Sequence, residues 1–232
     1  MDIQLHTREL GDGPPLLLLH GNGEDSSYFV HQMDFFAQWF HVIAIDTRGH
    51  GASPRGTTPF TIRQFALDLL DFLEERNIEK ADILGVSDGG NIALTFALDH
   101  PERVHRLVLN GANLFPAGVR LSVQLPIELG YRLASLFAGK SPGAGARAEL
   151  LGLMVNEPRI SPAALESLDL PVLVIAGTRD MIRASHTRLI AERLPQGKLV
   201  LLPGDHFIAN KSPLAFNQAV ADFLGHSNDK RS

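Results

Sequence analysis

Ala81-Asp82-Ile83-Leu84-Gly85-Val86-Ser87-Asp88-Gly89-Gly90 is a short apolar run that ends in G-x-S-x-G and opens onto a stretch with helical patterning over Gly89–Leu98. A serine on such a strand-to-helix turn has its hydroxyl pushed clear of the sheet. Glycines two positions to either side are required, because a Cβ there would meet neighbouring backbone. The helix behind the turn adds the positive end of its dipole, which favours developing negative charge. A glycine-rich β–α turn without chemistry would carry the same letters, so the reading depends on what the rest of the chain supplies.

Outward from this turn the same alternation repeats. Strands are predicted at Leu16–His20, Val42–Asp46, Ala81–Gly85, Arg106–Asn110, Pro171–Gly177 and Lys198–Leu202, with an edge strand over Ile3–Glu9. Helices fit between them at Tyr28–Trp39, Ile62–Arg76, Gly89–Leu98, Ala184–Leu194 and Leu214–Leu224. Runs of Leu, Ile and Val without polar alternation belong to strands buried on both faces, and amphipathic stretches between them belong to crossovers. The fold class is therefore α/β, a mostly parallel central sheet flanked by helices. With 232 residues and 44% hydrophobic content, one domain spanning 1–232 is expected to bury a core of its own. About 60 residues separate the strand ending at Asn110 from the one starting at Pro171, more than one crossover helix needs. An insertion over 114–168 is expected to form a small lid of two or three short helices over the strand ends, where ligands bind in such sheets. Its Leu, Phe and Tyr residues read either as ordinary core or as an apolar acyl pocket.

A serine hydroxyl is a poor nucleophile until a base takes its proton, and the base needs an acid to orient it. Val172-Leu173-Val174-Ile175-Ala176-Gly177-Thr178-Arg179-Asp180 puts an acid just beyond one predicted strand, and Leu199-Val200-Leu201-Leu202-Pro203-Gly204-Asp205-His206 puts a histidine just beyond the next. The order Ser87, Asp180, His206 is the one associated with this serine turn. Asp205 adjoins the histidine, but neighbouring side chains on extended backbone point apart. Asp46, at the end of an earlier strand, is the other rival to Asp180. His20-Gly21-Asn22-Gly23 follows the strand Leu16–Leu19. Its Asn22 N–H, paired with the N–H of Asp88, is expected to form an oxyanion hole, with His20 holding the loop.

Composition narrows the chemistry further. Zero Cys excludes disulfides, thiolate-ligated metals and a thiol nucleophile, and a net charge of −5 offers no field for a phosphate backbone or an anionic membrane. No cofactor is expected. No metal is expected either, since H-E-x-x-H and clustered ligand spacings are missing. Ala134 to Ser141 matches A-x-x-x-x-G-K-S, yet Ser135-Leu136-Phe137-Ala138 continues a helical face where a phosphate cradle needs a flexible turn. Gly21 to Ser26 falls one residue short of G-x-G-x-x-G. The N-terminus lacks a basic segment followed by an apolar one, and no apolar run approaches the ~20 residues of a membrane span, so a cytoplasmic protein is expected.

Together His20-Gly21-Asn22-Gly23, Asp46-Thr47-Arg48-Gly49-His50-Gly51-Ala52-Ser53, Gly85-Val86-Ser87-Asp88-Gly89-Gly90, Gly177-Thr178-Arg179-Asp180 and Gly204-Asp205-His206 resemble the α/β-hydrolase fold superfamily over nearly the whole chain. The Ser87-Asp88-Gly89-Gly90 variant is similar to that of valacyclovir-hydrolase-like esterases. The resemblance implies a carboxylesterase-like serine hydrolase acting on a small ester or related acyl bond, with Ser87, Asp180 and His206 catalytic. It also implies loop-holding roles for Arg48 and Ser53. Serine at the nucleophile position speaks against the haloalkane dehalogenase and epoxide hydrolase branches, which use aspartate there. The chain departs from the pattern in having room for one strand before Leu16 where two are common. The same triad also suits a lyase, C–C hydrolase, perhydrolase, thioesterase or aminopeptidase, the last with a lid carboxylate (Glu128, Glu149, Glu157 or Glu166) receiving an amine. A non-enzymatic receptor-like protein is the alternative from another class. The expected partner is a small, apolar acyl substrate, and the expected state a monomer or homodimer.

Overall fold

A computed structural model describes residues 2–226. Among them, β1 (Thr7–Leu10), β2 (Pro15–Leu19), β3 (His41–Ile45), β4 (Ala81–Val86), β5 (Val104–Asn110), β6 (Val172–Gly177) and β7 (Gly197–Leu202) form one sheet in the order β1-β3-β2-β4-β5-β6-β7. Every neighbouring pair is parallel except β1 with β3. The helices are α1 (Val30–Phe36), α2 (Ile62–Glu75), α3 (Asp88–Asp99), α4 (Leu121–Phe137), α5 (Pro142–Asn156), α6 (Ala184–Arg193), α7 (Ile208–Lys211) and α8 (Pro213–Phe223).

The period of two along each strand divides the core into two layers. Leu17, Leu19, Ile43, Ile83, Leu107 and Val174 meet Phe65, Leu69 and Phe72 of α2, Phe96 of α3 and Ile190 of α6. Their neighbours Leu16, Leu18, Val42, Leu84, Val108 and Ile175 meet Phe36 of α1 and Phe216 and Val220 of α8. The chain leaves β2 toward β3, then returns across β2 to start β4, so the crevice outside the carboxyl ends of β2 and β4 is the switch point of the sheet.

Most predicted elements shift by one or two residues, and three differ more. The edge strand begins at Thr7 and not at Ile3, because the residues before it are tied to the loop after β3: the Asp2 carboxylate accepts from the Arg48 guanidinium at 2.6 Å and from Thr57 N–H at 2.7 Å. His6 N–H likewise donates to Ser53 Oγ at 2.8 Å. The helix expected over Tyr28–Trp39 starts as a 3-10 turn at Ser26–Phe29, capped by Asp25 on Ser27 N–H, and ends at Phe36. The insertion carries two full helices, α4 and α5, packed on each other, in place of short ones. Most of the Gly- and Pro-rich stretch 139–148 lies in α5, whose first turn holds Pro142, where a missing N–H costs nothing.

The leucines of α4 fill neither a core nor a pocket. Leu121, Leu125, Leu129, Leu133 and Leu136 are all more than half exposed. Among the described residues, no helix is long and apolar enough to cross a membrane.

Candidate active site

Ser87 follows β4 with φ 54° and ψ −120°, the left-handed strain of a sharp turn at a non-glycine residue. Its glycines answer to contact: a Cβ at Gly85 would lie 2.3 Å from the Gly89 carbonyl oxygen, and one at Gly89 would lie 2.0 Å from that of Leu19. The turn thus packs directly on the end of β2. Ser87 N–H donates to Asn110 O at 2.8 Å, which ties the serine to the last residue of β5.

The next residue, Gly111, has φ +63°, and a Cβ on it would lie 2.6 Å from His206 Cε1. The histidine therefore stands against the corner that holds Ser87. Its Nδ1 lies 2.7 Å from Asp180 Oδ1, with both side chains almost fully buried. The same oxygen accepts from Ile182 N–H at 2.9 Å. A carboxylate is an acceptor, so Nδ1 carries the proton and Nε2 keeps its lone pair. Nε2 and Asp180 Oδ2 are buried without a partner.

The rivals to Asp180 are occupied elsewhere. Asp205 is exposed and binds Lys211 and Phe207 N–H. Asp46 accepts from Ser26 N–H and Ala52 N–H and pairs with His6.

The loop after β2 closes the other side. His20 Nε2 accepts from Thr47 N–H at 3.0 Å, so Nδ1–H donates to Gly21 O at 2.8 Å. Burial holds the His20 pKa down to about 4, which keeps the ring neutral in this role. Among the described residues, the N–H groups of Asn22 and Asp88 donate to no protein acceptor. The Asn22 side chain reaches α5, donating to Leu150 O at 2.7 Å. Arg48 and Ser53 hold loops: Arg48 binds Asp68 and Asp2, and Ser53 Oγ donates to Asp46 O.

Two carboxyl groups at the site escaped the reading of the sequence. Glu24 Oε2 accepts Gly21 N–H at 3.0 Å and sits close to the Ser87 Cβ across Gly21. Burial pushes its pKa up, against the opposing pull of that N–H and of nearby His206. Asp88 points its side chain inward. Oδ1 accepts from Asn91 Nδ2 at 3.0 Å, Oδ2 has no partner, and burial pushes the pKa up to about 6. An acid in a glycine-rich loop was the only available signal for Glu24, and nothing in a G-x-S-D-G turn announces which way the aspartate faces.

Three of the four carboxylates considered in the insertion are paired within the chain. Glu149 accepts from Arg55 Nε at 2.9 Å, Glu157 accepts Ile62 N–H at 2.6 Å, and Glu166 pairs with Arg193 at 2.6 Å. Glu128 is half-buried on α4. Among the described residues, no cluster of three His or carboxylate side chains could hold a metal ion.

A family model for the alpha/beta hydrolase fold matches residues 14–141, more than half of the chain. The chain belongs to this family, and its class is that of a hydrolase. It is 29% identical to a putative carbamate hydrolase, RutD, of Caulobacter sp. (strain K31), over 95% of this chain and 94% of that protein. It is 26% identical to 3-oxoadipate enol-lactonase 2 of Acinetobacter baylyi (strain ATCC 33305 / BD413 / ADP1), over 94% and 92%. A hydrolase structure from Pseudomonas aeruginosa PA01 superposes with a TM-score of 0.78 at 29% identity, covering 96% of this chain and 95% of that one.

Proposed function

We propose that the protein is a serine hydrolase that cleaves a small ester, lactone or carbamate through an acyl-enzyme. The observation that carries this reading is the buried His206–Asp180 pair, whose free Nε2 lone pair stands by the corner that fixes the strained Ser87 turn. His206 Nε2 takes the Ser87 proton as Oγ forms a bond to the substrate carbonyl carbon. The N–H groups of Asn22 and Asp88 receive the oxyanion, each worth about 3 kcal/mol of transition-state stabilisation. Collapse breaks the bond to the leaving group, which takes the proton from Nε2. Water then repeats the cycle and releases the acid. Asp180 keeps the Nδ1 proton in place and steadies the imidazolium. The names of the carbamate-hydrolase and enol-lactonase relatives support an acyl carbon bearing oxygen or nitrogen.

The test is stoichiometric labelling by a fluorophosphonate, beside hydrolysis of p-nitrophenyl esters of rising chain length, an enol-lactone and an aryl carbamate. Label on Ser87 and turnover of one of these classes, both lost in Ser87→Ala, are expected. A Ser87→Ala protein that keeps its turnover would overturn the assignment.

A further inference from the structure

On α4 the usual distribution of side chains is inverted. The positions turned toward the protein include buried Gln124 and Ala134, while Leu121, Leu125, Leu129, Leu133, Leu136 and Phe137 stand 51–71% exposed. An amphipathic helix buries its larger apolar residues, because each contributes more on leaving water. An outer face richer than the inner one is the arrangement expected of a helix with a second surface to cover. Taking roughly 150 Å² for each large apolar side chain, these six leave on the order of 500 Å² open, at the upper end of what a soluble monomer carries in one patch.

The pattern also specifies its occupant. Residues 121, 125, 129, 133 and 137 are symmetric about Leu129. Laid antiparallel on a copy of itself, the helix sets Leu129 against Leu129, Leu125 against Leu133, and Leu121 at one rim against Phe137. This is the self-complementarity of a two-fold, isologous contact, and rows spaced by four are the ridges that interdigitate between helices. The charges agree with it. Glu128 and Arg132 lie on one edge of the stripe, so the same antiparallel setting brings each Glu128 beside the Arg132 of the other copy, twice per pair. The patch supplies well over half of the ~800 Å² per partner of a standard interface, and the polar edge of α4 supplies a rim. A lipid surface fits less well, since a net charge of −5 and one arginine on this face are not the basic border of an interfacial helix.

We propose that the protein forms a homodimer through α4, antiparallel across a two-fold axis at Leu129. The contact joins the two lids and leaves both Ser87 turns unshared, so it holds whatever the substrate proves to be.

Sedimentation equilibrium of the full chain at micromolar concentrations tests it. The wild type is expected at twice the chain mass, and Leu129→Glu and Leu133→Glu at the chain mass, with dissociation constants raised at least 100-fold and unchanged melting by circular dichroism. Glu128→Arg should weaken the dimer about tenfold by setting like charges together, and E128R/R132E should restore it, which a different register or a parallel pair would not do. The chain has no cysteine, so Leu129→Cys should be captured as a dimer by a short bismaleimide, whereas Glu75→Cys, on exposed α2 surface, should not. If a glutamate variant fails to fold, the charge swap and the cross-link still decide. A wild type at the chain mass throughout would overturn the proposal. So would dimers unaffected by every α4 substitution, or monomers that α4 instead directs onto phosphatidylcholine or phosphatidylserine vesicles.

Discussion

Two buried charge clusters stand at the carboxyl end of the same sheet, and they are finished to different degrees. Arg48, fully buried, gives Nε and Nη2 to the two oxygens of Asp68 at 2.7 and 2.6 Å, Nη2 also to Asp2, and Nη1 to Arg55 O at 3.1 Å. Neither Arg48 nor Asp68 leaves a buried atom without a partner. His206 and Asp180 are as deeply buried, yet each keeps one unpartnered atom. A saturated cluster can only hold structure, here the loop after β3 and the N-terminal segment. A cluster that keeps a lone pair free is costly to bury and has a valence left for a proton. On the proposed mechanism, the difference between the clusters is the one expected between scaffold and reagent.

That contrast breaks most sharply on Asp180→Asn. It should cost about 10⁴-fold in turnover, by leaving the imidazole in the wrong tautomer, while the melting temperature moves little. A large fall in melting with activity retained would make this pair another scaffold. Asp68→Asn should do the reverse. It leaves a buried guanidinium half-paired, at about 3–5 kcal/mol, which is on the order of 10 °C in melting for a chain of this size. Turnover per folded molecule at low temperature should persist, and calorimetry beside a rate assay reads both.

Asp88→Asn sharpens the contrast through pH. The folded state raises this carboxyl from its ordinary 3.8 to about 6, so it binds the proton more tightly than the unfolded chain does. Its stabilising contribution is present below pH 3.8 and is lost as pH rises through about 6. The wild type should therefore lose roughly 2 kcal/mol more than the variant between pH 4 and 7.5, and parallel denaturant curves at the two pH values measure it. The smallest effect concerns the turn itself. Ser87→Gly should be more stable than Ser87→Ala by about 1 kcal/mol, because only glycine relaxes at φ 54°. Equal midpoints would mean that the turn stores no strain.

How far the sequence could be read follows from what each signal depends on. The strands were legible because unbroken runs such as Leu16–Leu19 and Val172–Ala176 leave few alternatives once turns bound them. Asp180 was preferred to Asp205 by the alternation of side chains on extended backbone, and the coordinates put Asp180 on His206 at 2.7 Å. Glu24, the inward turn of Asp88 and the outward leucines of α4 were not legible. A side chain's direction depends on which neighbours crowd the same space, and those neighbours lie in distant parts of the chain. The insertion is expected from sequence as two or three short helices, and the full length of α5 was not legible: Pro142 stands in its first turn, where it is tolerated.

The sequence by itself determined the α/β sheet, the glycine-flanked serine turn and the order of the candidate residues, since these rest on local periodicity and on backbone sterics within a few positions. Tertiary structure alone decided which acid meets which histidine, which charges are saturated and which face of α4 meets water. Those are outcomes of long-range packing, in which the burial of one group depends on where all the others have gone.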